Sequence, residues 1–213
     1  MILVTLPVGL IQTNCYVVGC PETRQGAVID PGGHAPRILA EVQRLGLAVQ
    51  YVLNTHGHFD HTDANGAVVQ ATGAPLAIHP LDKPLLQAAG GAAWFGLGRV
   101  SNPPVPSPPP DRELQDGDEL KIGTLCLRVL HTPGHTPGHV CFYEPTEGVL
   151  FDGDVLFYRG VGRTDLPGGS WQQLLDSIQR VLFALPDETL VYSGHGPATT
   201  IGDEKRLNPW LTV

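Results

Sequence analysis

The chain has 213 residues, 42% of them hydrophobic, enough to bury a core of ordinary size and without the bias of a disordered or fibrous protein. Lys and Arg number 13 against 21 Asp and Glu, and the resulting formal charge of -8 repels phosphate backbones and anionic lipid. Basic residues are scattered, with Lys205-Arg206 the only adjacent pair, so no nucleic-acid partner is expected.

The start, Met1 to Leu6, is apolar, but no Lys or Arg precedes Arg24, and Pro7 and Gly9 break the run. It reads as a first strand rather than a leader or membrane span. Leu3 to Leu6, Cys15 to Val18 and Ala27 to Asp30 predict a β-meander separated by Gly and Pro punctuation. Asp30-Pro31-Gly32-Gly33 turns the chain, and Pro36 to Leu45 predicts a helix with Ile38, Leu39, Val42 and Leu45 on one face, ended by Gly46. A strand over Ala48 to Leu53 then delivers Thr55-His56-Gly57-His58-Phe59-Asp60-His61. Imidazole with carboxylate is the donor set that zinc and iron select. His56 and His58 can aim at one ion, and Asp60 and His61 at a second.

Thr62 to Thr72 predicts a closely docked helix of small residues, Pro75 to Ile78 a strand, and Pro80 to Ala89 a helix. His79, ending a strand beside a proline, is expected to bind no metal. Residues 90 to 110 contain the run Pro103 to Pro110, which can neither form a helix nor pair in a sheet. It suits a domain linker or a long connection within one domain, and candidate ligands on both sides favour the second. Trp94 and Phe95 nearby can line a substrate mouth or simply pack, and packing is favoured.

Asp118 to Ile122 and Leu125 to Leu130 predict a hairpin around Gly123, running into His131-Thr132-Pro133-Gly134-His135-Thr136-Pro137-Gly138-His139. Val140 to Tyr143 and Val149 to Phe151 continue the sheet into Asp152-Gly153-Asp154. Ser170 and Gln173 form a capping box for a helix with Trp171, Leu174, Leu175, Ile178, Val181 and Leu182 as its apolar stripe. Thr189 to Tyr192 predicts a last strand, ending in Ser193-Gly194-His195-Gly196-Pro197. Four cysteines without a C-x-x-C pair read as buried free thiols in a reducing cytoplasm, with a Cys15 to Cys20 disulfide as the alternative.

Four times an apolar strand ends in a glycine-containing turn tipped by His or Asp: at His56 to His61, Gly134-His135, Gly153-Asp154 and Gly194-His195. With Asp30 before it, this ordered set resembles the metallo-β-lactamase superfamily over nearly the whole chain. The resemblance implies an α/β fold, an αββα sandwich of two mixed β-sheets with helices on the outer faces. It implies a single domain over residues 1–213, built of pseudo-repeat halves of about 1–100 and 111–213. His56, His58 and His135 match the ligands of a first metal, Asp60, His61 and His195 those of a second, and Asp154 the bridging carboxylate. Asp30 matches a supporting carboxylate that touches no metal. His131 and His139 flank His135 without binding metal. The implied cofactors are two divalent ions per chain, zinc first, with iron or manganese as alternatives.

Asp154, the Thr132 to His139 motif and Gly162-Arg163-Thr164-Asp165-Leu166-Pro167-Gly168-Gly169 look like the short bacterial members of the glyoxalase II group, the hydroxyacylglutathione hydrolases. The expected activity is hydrolysis of a thioester, S-D-lactoylglutathione or a related acyl thiol, by a metal-bridging hydroxide held by Asp60 and Asp154. A persulfide dioxygenase of the same superfamily, with one iron, is the alternative. The helical C-terminal domain that binds glutathione in long glyoxalase II enzymes is not expected. Arg163 and Arg159, and after them Lys205 and Arg206, are the candidates to hold a substrate carboxylate. The expected partner is a small acyl thioester, with neither nucleic acid nor membrane, in a cytoplasmic monomer or small homo-oligomer.

Overall fold

The computed structural model describes residues 1–86 and 106–211. The expected strand at the N-terminus is β1 (Ile2–Val8), which pairs antiparallel with β2 (Thr13–Gly19), itself antiparallel to β3 (Gln25–Ile29). Helix α1 (Ala35–Leu45) then crosses to β4 (Ala48–Leu53), parallel to β3. Pro36 opens α1 and Gly46, left-handed at φ 62°, closes it. Strands β5 (Leu76–Ile78) and β6 (Arg112–Glu113) add in parallel, giving a mixed sheet in the order β1-β2-β3-β4-β5-β6.

The second sheet is built from β7 (Glu119–Ile122), β8 (Leu125–His131), β9 (Val140–Glu144), β10 (Val149–Gly153), β13 (Leu190–Ser193) and β14 (Thr199–Thr200). Its order is β14-β13-β10-β9-β8-β7, and β10 and β13 run parallel across helix α5 (Trp171–Arg180). A small hairpin, β11 (Leu156–Phe157) with β12 (Gly160–Val161), follows β10. Helix α6 (Ile201–Leu207) comes last.

Strand alternation sorts the core into layers. Val18, Ile29 and Leu53 of the first sheet meet Leu127, Phe142 and Phe151 of the second between the sheets. Their neighbours Val17, Val28 and Val52 face outward onto Ile38 and Val42 of α1 and Val68 of α3 (Asn65–Thr72). Cys141 and Leu150 face Leu174 and Ile178 of α5. Helix, sheet, sheet, helix is the expected sandwich.

Several local expectations change. The helix expected over Thr62 to Thr72 divides into α2 (Phe59–Thr62) and α3, because the Ala64 N–H turns away to the Pro31 carbonyl. Pro80–Asp82 is a 3₁₀ turn leading into α4 (Lys83–Leu86), and the rest of the helix expected there lies outside the described residues. So do Trp94, Phe95 and the start of the proline run. Trp171, expected in the buried stripe of α5, occupies the first helical position, has no preceding turn to cover, and lies exposed beside Trp210. Cys15 and Cys20 sit in different core layers and cannot bridge; all four thiols are free, and Cys126 is only half-buried.

Candidate metal centre

Strands β3, β4, β8, β10 and β13 each run out at their C-terminal ends into one of the His- or Asp-bearing turns. The turns meet at one edge of the sandwich, where open α/β sheets also gather their ligands. Asn14 clasps the two sheets there: its N–H donates to the Gly194 carbonyl at 2.7 Å and its side-chain amide to the Ser193 carbonyl at 3.0 Å.

All seven expected ligand residues converge. The donor atoms of His56, His58 and His135 lie within 4.8 Å of one another, as do those of Asp60, His61 and His195, and those of His56, His61 and Asp154. Asp154 stands between the first two trios, with Oδ2 3.6 Å from Nε2 of both His135 and His195. Gly194 is required by this closeness, since a β-carbon there would collide with the Asp154 carboxylate and His61.

Outward hydrogen bonds set the tautomers. Asp30, buried and left-handed at φ 50°, accepts from the Thr55 N–H at 2.8 Å, the Thr55 hydroxyl at 2.7 Å and His61 Nδ1 at 2.9 Å. The Thr55 hydroxyl, spent as a donor on Asp30, accepts from His56 Nδ1 at 3.1 Å. His135 Nδ1 donates to the Arg163 carbonyl at 2.7 Å. In the neutral form of each of these three rings, Nε2 is thereby left with its lone pair turned inward. His135 Nε2 faces His58 Nδ1 at 2.8 Å.

Three buried atoms aimed into this space, His56 Nε2, His61 Nε2 and Asp154 Oδ1, have no hydrogen-bond partner. His61 Nε2 does lie 3.2 Å from Asp60 Oδ2 and 3.4 Å from Asp154 Oδ1, distances of charge attraction without hydrogen-bond geometry. Unmet buried donors and acceptors are rare in folded proteins. A set of converging lone pairs is what divalent cations satisfy, so the residues fit two such ions.

The charge states agree. Burial, reinforced by the neighbouring imidazoles, lowers His56 well below its ordinary value and His58 to about 4, which keeps both rings neutral. Burial works against the charge of His61 too, but Asp60, Asp154 and Asp30 outweigh it and raise His61 well above its usual range. Burial would raise Asp60 and Asp154, yet His61 and its fellow imidazoles prevail and hold both low. Three carboxylates thus keep positive charge at the centre even without a metal.

Beyond the expected set, Thr13 donates to Asp60 Oδ2 at 2.7 Å. His139, expected only to flank, accepts the Asp154 N–H on Nε2 at 3.1 Å and lies 2.9 Å from the Thr132 hydroxyl through Nδ1. It therefore fixes the backbone that carries Asp154. Only the near-repeat Thr-Pro-Gly-His in the sequence hinted at it. His79, expected to bind no metal, stacks on His131 with ring centroids 4.4 Å apart.

The metal edge opens into a cavity of about 260 Å³ whose floor includes His58, Asp60, Asp154 and His195. Its walls are apolar, with Ile11, Phe157, Val161 and Leu166, and Arg163 also lines it. The Arg163 guanidinium grips Asp165 with two bonds of 2.8 Å. Arg159 does not line the cavity: its guanidinium lies 2.6 Å from the buried carboxylate of Glu204. Lys205 and Arg206 bond to Asp187 and Asp203 on the surface.

The profile of the metallo-beta-lactamase superfamily matches residues 8–195. The chain belongs to this superfamily. Among superfamily proteins, it is 41% identical to the hydroxyacylglutathione hydrolase GloC of Haemophilus influenzae, over 97% of this chain and 96% of that one. The crystal structure of BLEG-1, a B3 metallo-beta-lactamase, superposes with a TM-score of 0.89 at 41% identity and covers the whole of both chains. That of TTHA1623 in a di-iron-bound form gives 0.85 at 44% identity, over 99% of this chain and all of that one. As a superfamily member, the chain therefore has both its fold and its clustered His and Asp groups in the company of a two-metal relative. No helix among the described residues is long and apolar enough to cross a membrane.

Proposed function

We propose that this protein is a dinuclear-metal hydrolase that cleaves a thioester, S-D-lactoylglutathione or a related acyl thiol. The observation that carries the reading is the position of Asp154 between two complete trios of donors. The likeness to a hydroxyacylglutathione hydrolase and to a di-iron protein supports it.

His56, His58 and His135 would hold one ion and Asp60, His61 and His195 the other, with Asp154 shared. When bound, such a pair supplies Lewis acidity, lowering the pKa of water toward ~7 and polarising a carbonyl. The chain's own part is to keep the donors ready. Asp30 and Thr55 orient His61 and His56, Thr13 orients Asp60, and the Arg163 carbonyl orients His135. The apolar wall of Phe157, Val161 and Leu166 seats the uncharged part of a substrate over the donors and keeps bulk water from it. Water oxygen adds to the thioester carbonyl carbon and the C–S bond breaks, giving a carboxylate and a thiolate, and the two protons of the water pass to solvent. With a free thiol pKa of about 8.5, the thiolate departs without a dedicated acid.

A one-iron dioxygenase would leave the Asp60, His61 and His195 trio without a task, which ranks that alternative below the hydrolase. The likeness to BLEG-1 makes a β-lactam the second substrate class to try. Metal-loaded protein should turn over lactoylglutathione or another acyl thioester, with a chromogenic cephalosporin and glutathione persulfide assayed beside it. Oxygen uptake with the persulfide and no thioester cleavage would overturn the proposal.

A further inference from the structure

Asp82 closes the 3₁₀ turn Pro80–Asp82, is fully buried, and belongs to none of the donor trios. Three donors surround its carboxylate. Oδ2 accepts from the Gly57 N–H at 3.0 Å and from the Thr136 hydroxyl at 2.7 Å, and Oδ1 accepts from the Gly138 N–H at 2.7 Å. Gly57 is the residue between His56 and His58. Thr136 follows His135, and Gly138 precedes His139, the ring that receives the Asp154 N–H.

One carboxylate therefore ties the turn after β4, from the first sheet, to the turn after β8, from the second. The chain has made room for it. A β-carbon on Gly57 would lie 2.7 Å from the Asp82 carbonyl and 2.6 Å from Leu85 Cβ, and one on Gly138 would lie 2.6 Å from Asp82 Oδ1. The other trio is braced elsewhere, Asp60 by Thr13 and His61 by Asp30. Asp30 reaches His56 as well, through the Thr55 hydroxyl, whereas Asp82 braces the turns that carry His58 and His135.

We propose that Asp82 is a positioning residue for one ion only, the ion held by His56, His58 and His135. This rests on the two-ion reading given above. All three partners are donors, so the isosteric change Asp82→Asn offers one acceptor oxygen and turns an amide N–H₂ toward a group that also donates. The distance between the two turns then loosens while the volume stays the same. Loss of such an outer partner costs a metal site about 10- to 100-fold in affinity.

The test is zinc stoichiometry and chelator competition on the full chain, with far-UV circular dichroism alongside. Wild type should bind two ions. Asp82→Asn should hold one of them about 10- to 100-fold more weakly and the other within about two-fold of wild type. Adding His195→Ala should release the remaining ion, whereas adding His58→Ala should not. Asp111→Asn, the same change at a carboxylate that accepts from the Leu76 N–H at the sheet edge, should leave both affinities unchanged. If Asp82→Asn does not fold, Thr136→Val, which deletes one of the three bonds, should show the same one-sided weakening to a smaller degree. Both ions retained at wild-type affinity, or both weakened equally, overturns the proposal. A wild-type protein that takes up fewer than two ions overturns the two-ion reading and this one with it.

Discussion

Asp154 reaches both His135 and His195, so in the proposed two-ion site it would serve both ions. Asp154→Ala should lower the affinity for both ions and cut turnover by more than about 100-fold, since even outer partners are worth 10- to 100-fold. Elemental analysis and turnover measured on one preparation check this; full activity with two ions retained would contradict the shared role. His61 carries a second prediction. Its pKa is raised above 6.5 by Asp60, Asp154 and Asp30, so the metal-free ring is protonated at neutral pH, and an ion must displace that proton. Affinity for zinc should therefore climb with pH up to the raised pKa, by about ten-fold per unit for each proton released. Chelator competition between pH 6 and 8 should show that slope, and a flat profile would refute it. Most of these residues were readable from sequence, because ligands cluster at strand ends in short motifs. Thr13, Asp82 and the working role of His139 were not, because each acts through a contact with a turn that local spacing does not reveal.

The segment joining β12 to α5 decides what the cavity can recognise. Its Arg163 is the cationic side chain lining the cavity among the described residues, and Asp165 in the same segment already occupies the guanidinium. An exposed pair of this kind is weak, so a substrate carboxylate competes with Asp165 at a cost of up to about five-fold. Asp165→Asn should raise kcat/KM for anionic thioesters such as glutathione esters by up to about that factor. Uncharged thioesters should gain nothing, and an equal gain for both would sink the idea. Secondary elements followed their patterns where periodicity was strong, as in α1 and the β7–β8 hairpin. They departed where a tertiary bond intervened: the Pro31 carbonyl, far from residues 62 to 72 in sequence, divides the helix expected there.

At the scale of the whole molecule, the first sheet supplies His56, His58, Asp60 and His61, and the second supplies His135, Asp154 and His195. Ions bound between them favour the folded chain over the unfolded one. Removing them with a chelator should lower the melting temperature by about 10 °C, the shift expected for a ligand held near a thousand times its dissociation constant. Scanning calorimetry before and after stripping, then after zinc is restored, measures it; an unchanged transition would mean the metals contribute nothing to folding. The same division has a consequence during synthesis. A nascent polypeptide displays the His56 to His61 segment long before His195 has been translated, so early capture of an ion can only be provisional. On the two-ion reading, the donors that would discriminate among the available metals are complete only once the final strand has been made.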